Sequence, residues 1–273
     1  MRILVTNDDG IDSLGLHVLA RRLTELGDVV VVAPDREYSG FGAALGTLHL
    51  MQPEVQREHI DGVPEAWSVS GPPALCVYFA RFGCFGDIDV VVSGINPGAN
   101  TGRAIYHSGT VGAAITARNG GLNGIAVSQS VIGFGVEGQG WDEMIQDQRW
   151  DTAAEVAARV TGSLIDDLPD PPLVVNINVP NVGLEEITAW RPAEVGTIPP
   201  RSMSSATLVP REGYEETYTV EMEWGDPVEL PIETDGGSVE AGEVSISYLS
   251  RIVHEPGATV AAVDAVLDEL TGG

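Results

Sequence analysis

No lysine occurs among the 273 residues: all 14 basic residues are arginine, against 40 acidic ones, for a formal net charge of −26. Such a surface repels the phosphates of nucleic acid and of anionic lipid, which argues against binding to a DNA or RNA duplex or to a membrane. No apolar run approaches the roughly 20 residues that span a bilayer. No basic stretch followed by an apolar core and a cleavage site opens the chain, so a cytoplasmic protein is expected. Cysteine is scarce too. Cys76 and Cys84 form no C-x-x-C pair and lie near no histidine cluster, which speaks against zinc; both are expected to be free, buried thiols. There is no G-x-S-x-G elbow, so a serine hydrolase of that kind is disfavoured. Internal repeats and long low-complexity segments are also absent.

What remains is a chain 43% hydrophobic, enough for a substantial core in one large domain or a domain with an extension. An acidic, lysine-free surface over an ordinary core resembles the proteins of salt-loving microbes, where molar salt screens self-repulsion. A halophilic archaeal source is therefore expected, and the acidity describes the solvent more than the chemistry.

Arg2 to Thr6 reads as a short buried strand. Leu14, Val18, Leu19, Leu23 and Leu26 form a helical stripe with Gly27 as a stop, and Val29 to Ala33 is a β-branched run ended by Pro34. This strand–helix–strand opening is the start of an α/β sheet with parallel strands. Further strands are expected at Ile88 to Val92, Ile125 to Ser128, Leu173 to Val179 and Val244 to Leu249. Helices are expected at Leu75 to Phe82, Thr110 to Arg118 and Asp151 to Leu168. Beyond Pro180, prolines punctuate short alternating segments such as Tyr218 to Trp224, which suggests an antiparallel excursion. Val260, Val263, Val266, Leu267 and Leu270 suggest an amphipathic helix that packs on its own chain or a neighbour.

Three of these strands end in unusual chemistry. The first runs into Asn7-Asp8-Asp9-Gly10. Two adjacent carboxylates at the end of a buried strand are costly, and a hard divalent cation is the usual way to make them favourable. The alternative is a polar turn in which Asp12 or Ser13 caps the next helix and the pair is simply solvated. The second strand leads to Ser39, the third to Asn96, and one sheet brings all three loops to the same edge. Asp8, Asp9, Ser39 and Asn96 together could hold one octahedral cation. Ser108-Gly109-Thr110 opens a helix, where hydroxyls and free N–H groups form a natural phosphate cradle. A cation beside such a cradle points to phosphoryl chemistry. Gly133-Phe134-Gly135-Val136-Glu137-Gly138 satisfies G-x-G-x-x-G, but the residues after it open a helix poorly, and it reads as a surface loop rather than a dinucleotide site.

Taken together, the motifs Ile3-Leu4-Val5-Thr6-Asn7-Asp8-Asp9-Gly10, Ala33-Pro34-Asp35-Arg36 with Ser39-Gly40, Val92 to Asn100, and Ser108 to Ala114 resemble the SurE family of metal-dependent nucleotidases. Asn176 to Pro180 and Thr234-Asp235 extend the resemblance over nearly the whole chain. It implies a three-layer Rossmann-like α/β core (residues 1–180) and an extension (residues 181–273) whose antiparallel arm and C-terminal helix exchange between subunits of a homodimer or homotetramer. It implies Asp8, Asp9, Ser39 and Asn96 as ligands of one divalent ion, magnesium or manganese, with Asp8 and Asp9 catalytic. Ser108, Gly109 and Thr110 would bind phosphate, with Asn7 lining the same site. The substrate would be a nucleoside monophosphate, phosphorylated at the 5′ and/or 3′ position. A non-catalytic nucleotide or metal sensor, or a phosphatase of another small ester or short polyphosphate, is the alternative. The chain departs from the family in Arg103-Ala104, in Leu75 before Cys76, and in His107 where a tyrosine is usual, so His107 is kept outside the catalytic set.

Overall fold

The computed structural model describes residues 1–46, 48, 50, 52–131, 145–250 and 252, together with Ala261, Val263, Val266 and Glu269. The first half of the chain alternates strand and helix: β1 (Arg2–Thr6), α1 (Leu14–Leu23), β2 (Asp28–Pro34), β3 (Val55–Glu58), β4 (Glu65–Val69), α2 (Pro73–Arg81), β5 (Val90–Pro97) and α3 (Gly109–Asn119). The second half adds β6 (Asn123–Gln129), α4 (Trp150–Asp166), β7 (Val174–Val179), β8 (Trp190–Pro192), β9 (Met203–Pro210), β10 (Tyr218–Trp224), α5 (Asp235–Glu240) and β11 (Val244–Leu249).

Nine strands form one sheet in the order β3-β4-β2-β1-β5-β6-β7-β11-β8. The six from β4 to β7 are mutually parallel, while β3 and β11 pair antiparallel with β4 and β7. Side chains alternate across this sheet. Ile3, Val5, Val29 and Val31 pack on one face against Leu16, Leu19 and Leu23 of α1 and Ala154 and Ala157 of α4. Leu4, Val30, Val32 and Val91 pack on the other against Leu75 and Val77 of α2 and Ala113 and Ala117 of α3. The result is a three-layer α/β core, as its continuous β-branched strands require. Each fully buried aliphatic side chain in it contributes ~1.5–3 kcal/mol. β9 and β10 form a separate antiparallel ribbon with a register running from Tyr218↔Pro210 to Trp224↔Met203, which is the antiparallel excursion.

Several boundaries differ from the sequence reading. α1 ends at Leu23, short of Gly27, because Thr24 already takes the C-cap position, and Leu14 is exposed. β5 runs on to Pro97 rather than stopping at Val92, because an extra residue is absorbed between Ser93↔Ala126 and Asn96↔Ser128. β3, β4, β8 and α5 had no counterpart in the periodicity. Cys76 is buried, but Cys84 is exposed in the turn after α2, so only one of the two thiols is a core residue. Among the described residues no helix is long and apolar enough to cross a membrane. Residues 133–138 lie outside the described residues, as do Val260, Leu267 and Leu270; Val263 and Val266 are helical and exposed.

Candidate active site

Parallel strands deliver their carboxyl ends to one sheet edge, and here β1, β2 and β5 deliver three loops to a single cleft of about 620 Å³. Asp8, Asp9, Ser39, Asn96 and Ser108 all line it. Gly10 lets the first two loops close on each other: its φ is +102°, and a Cβ there would stand 3.0 Å from the Arg36 carbonyl carbon. The backbone then ties them, with Tyr38 N donating to Asp8 O at 2.7 Å. Ser13 is the N-cap residue of α1 but makes no side-chain cap, so the solvated-turn alternative lacks its capping bond.

Asp8 is almost wholly buried against the first turn of α3. Its Oδ2 accepts from Gly109 N at 3.1 Å, and its Oδ1 accepts from the Thr110 hydroxyl. Only glycine allows this approach, since a Cβ on Gly109 would come within 2.7 Å of Asp8 Cβ. A helix N-terminus favours a carboxylate. Burial nevertheless wins and pushes the Asp8 carboxyl above the usual range, with the Thr110 and backbone bonds opposing it.

Asp9 has weaker support, from its own backbone and from Asn7. Its Oδ2 is buried without a hydrogen-bond partner. Desolvation, then the charges of Asp8 and Glu37, push its carboxyl up to about 8. A buried carboxylate oxygen that nothing satisfies, beside a second carboxylate, is what a cation would correct. Asn96 donates its amide nitrogen to Gly98 O at 2.6 Å and Pro97 O at 3.2 Å, which leaves its amide oxygen for the cleft. Asp8, Asp9, Asn96 and Ser39 could thus offer a cation two carboxylates, one amide oxygen and one hydroxyl, all hard oxygens suited to magnesium or manganese. Among the described residues no group of three or more His, Cys, Asp or Glu gathers as a metal cluster.

The remaining expected residues sit differently. Asn7 is fully buried behind the cleft and braces the turn, its amide nitrogen donating to Gly10 O at 3.0 Å. Gly109 N and the Thr110 hydroxyl are turned to Asp8, and Ser108 Oγ accepts from Val111 N at 3.1 Å as the α3 N-cap. The helix terminus is therefore filled by the protein's own carboxylate and hydroxyl. Of the three cradle residues, Ser108 alone reaches the cleft, with its hydroxyl proton left to donate.

The sequence motifs include Asn100 and Asp235 but give no role to them or to Glu37. Glu37 lines the cleft as a third carboxylate. Asn100 stitches the loop after β5 to the neighbouring strands: its N donates to Asn178 Oδ1 at 2.7 Å, its Nδ2 to Ser128 Oγ at 2.9 Å, and its carbonyl accepts from Asn176 Nδ2 at 2.9 Å. Asp235, fully buried, accepts from Gly102 N, Gly196 N and Gly236 N, each at 2.9 Å. Nothing in local periodicity marks such long-range partners; the polar run Asn176-Ile177-Asn178 inside a buried strand was the available signal.

The model of the family "Survival protein SurE" matches residues 3–199. The chain belongs to the SurE family. A SurE relative from Haemophilus influenzae (strain PittGG), a 5′-nucleotidase by name, is 37% identical over 252 residues, covering 90% of each chain. Another so named, from Legionella pneumophila (strain Philadelphia 1), is 38% identical over 197 residues, 72% of this chain and 71% of its own. The crystal structure of the SurE protein from Aquifex aeolicus superposes with a TM-score of 0.74 at 27% identity, covering 99% of this chain and 100% of that one. The SurE fold thus extends over the sheet, the ribbon and the returning β11.

Proposed function

We propose that this chain is a divalent-metal-dependent phosphatase that hydrolyses nucleoside monophosphates, at the 5′ and/or 3′ position, to nucleoside and phosphate. The observation that carries the reading is the Asp8–Asp9 pair, one carboxylate locked to α3 and the other left with a partnerless buried oxygen. The names of the relatives support the nucleotide as substrate. Asp8, Asp9, Ser39 and Asn96 would hold the ion, magnesium or manganese. When bound, it supplies charge neutralisation at the phosphoryl group and a more acidic water. Thr110 and Gly109 N fix Asp8, so the first ligand is preorganised. Asp9, whose oxygen lacks a partner, takes the attacking water's proton. Ser108 donates its hydroxyl proton to a phosphoryl oxygen as charge builds there. Residues 1–180 carry these groups, and residues 181–273 are the extension whose arm and C-terminal helix would exchange between the subunits of a homodimer or homotetramer. The acidic, lysine-free surface supports a halophilic, cytoplasmic setting.

Phosphate release from a panel of nucleoside monophosphates, in molar salt with manganese or magnesium and with chelator, tests this directly. Release is expected only with metal, and Asp8→Asn is expected to lower it by ~10³-fold or more. A folded, metal-loaded protein that releases phosphate from none of them would overturn the reading in favour of a nucleotide-binding sensor.

A further inference from the structure

Among the described residues the cleft contains two ionisable groups that the proposed chemistry has not used, Glu37 and His107, and only His107 can carry a cationic proton. His107 lines it one residue before Ser108. Its backbone is fixed from two sides, with His107 N donating to Ala104 O and its carbonyl accepting from Gly42 N, both at 3.0 Å. Its side chain is exposed and makes no hydrogen bond or ion pair with the described residues. The backbone is anchored while the imidazole is left without a partner among the described residues at a position that lines the cleft.

Among the described residues the other ionisable side chains lining the cleft are Asp8, Asp9 and Glu37, all carboxylates, and no arginine lines it. The α3 terminus is taken up by Asp8 and Ser108. A phosphate monoester cleaves through a loose transition state in which negative charge builds on the departing oxygen. From a nucleoside monophosphate that oxygen leaves as a ribose alkoxide, a poor leaving group unless it is protonated. Histidine is the side chain that carries a transferable proton near neutrality.

We infer that His107 is the general acid that protonates the leaving ribose oxygen, a catalytic residue that rests on the nucleotidase reading above. In that step the water oxygen bonds to phosphorus and the phosphorus–ribose oxygen bond breaks. Its electron pair stays on the ribose oxygen and takes the imidazolium proton. The water's proton passes to Asp9 and returns to the imidazole through solvent, so the cycle closes with nucleoside and phosphate as products.

A comparison of leaving groups separates this role from others. His107→Gln and the wild-type protein are assayed with adenosine monophosphate and with p-nitrophenyl phosphate, whose phenolate departs without a proton. The variant should lose ~10²-fold or more in kcat on the nucleotide, yet keep its rate on the nitrophenyl ester. Calorimetric titration of manganese should give the same affinity for both proteins, and their melting temperatures should agree, because the side chain is exposed. An equal loss on both esters, an undiminished rate on the nucleotide, or an altered manganese affinity would each overturn the acid role while leaving the nucleotidase reading standing. A wild-type protein that hydrolyses neither ester would overturn both.

Discussion

Asp8 and Asp9 differ by one position in the chain and by everything in their surroundings. Asp8 is bound at both oxygens by α3, so its geometry is settled before any ligand arrives. Asp9 is held high, at about 8 against an ordinary 3.8, by burial and by the charges of Asp8 and Glu37. This has a direct sign in stability. Between about pH 4 and about pH 8 the metal-free folded chain keeps a proton on Asp9 that the unfolded chain has released. Stability therefore falls through that window as pH rises, and the loss is complete above it. Melting temperatures measured with chelator across the window should slope downward, and Asp9→Asn should flatten that slope and raise the melting temperature at pH 8. Added manganese should do the same to the wild-type protein, since it binds the deprotonated form and competes with the proton. Asp8 and Asp9 stood out in the sequence because adjacent carboxylates after an apolar strand are rare and costly. That Asp8 would occupy the helix terminus expected to cradle phosphate was hidden, because the contact joins residues 101 and 102 positions apart.

The elements that position these groups were legible to the extent that they carry a strong period. β1, β2 and β7 are rich in β-branched residues, β11 alternates apolar residues with serine, and α4 repeats its apolar face over four turns, so their places could be read directly. β3 escaped because it is a polar, exposed edge strand of four residues. β8 and α5 are short enough to have no period. The continuation of β5 to Pro97 was masked by Gly94, which reads as a strand end but here sits in a bulge that turns the strand toward the cleft. Helix α3 illustrates how an element's composition serves its neighbour. Its opening residues are small, and the missing side chain at Gly109 is the space Asp8 occupies. Gly109→Ala should thus displace Asp8, costing ~1–3 kcal/mol in urea unfolding. It should also weaken manganese binding in calorimetry. A fully retained affinity would show that Asp8 is not positioned by this contact.

At the scale of the molecule, a charge of −26 is spread over a chain whose cations are all arginines. Several of those are already paired, Arg2 with Asp28 and Glu65, Arg191 with Glu243. Self-repulsion is then a standing cost that screening removes, since the Debye length drops from ~10 Å at 0.1 M to ~3 Å at 1 M salt. The melting temperature should rise by several degrees between these concentrations of potassium chloride; a flat or falling profile would show that the acidic surface does not govern stability. Apolar periodicity revealed the sheet, but the order of its strands did not follow from any local pattern. β11, from the late part of the chain, lies between β7 and β8. This arrangement has a consequence for biosynthesis. A nascent chain that has emerged as far as β7 already possesses every proposed ligand, yet the hydrogen-bonding edge of β7 stays bare until Val244–Leu249 leaves the ribosome. Premature termination in that interval would release a polypeptide with its reactive groups complete and an unpaired strand edge open to intermolecular pairing.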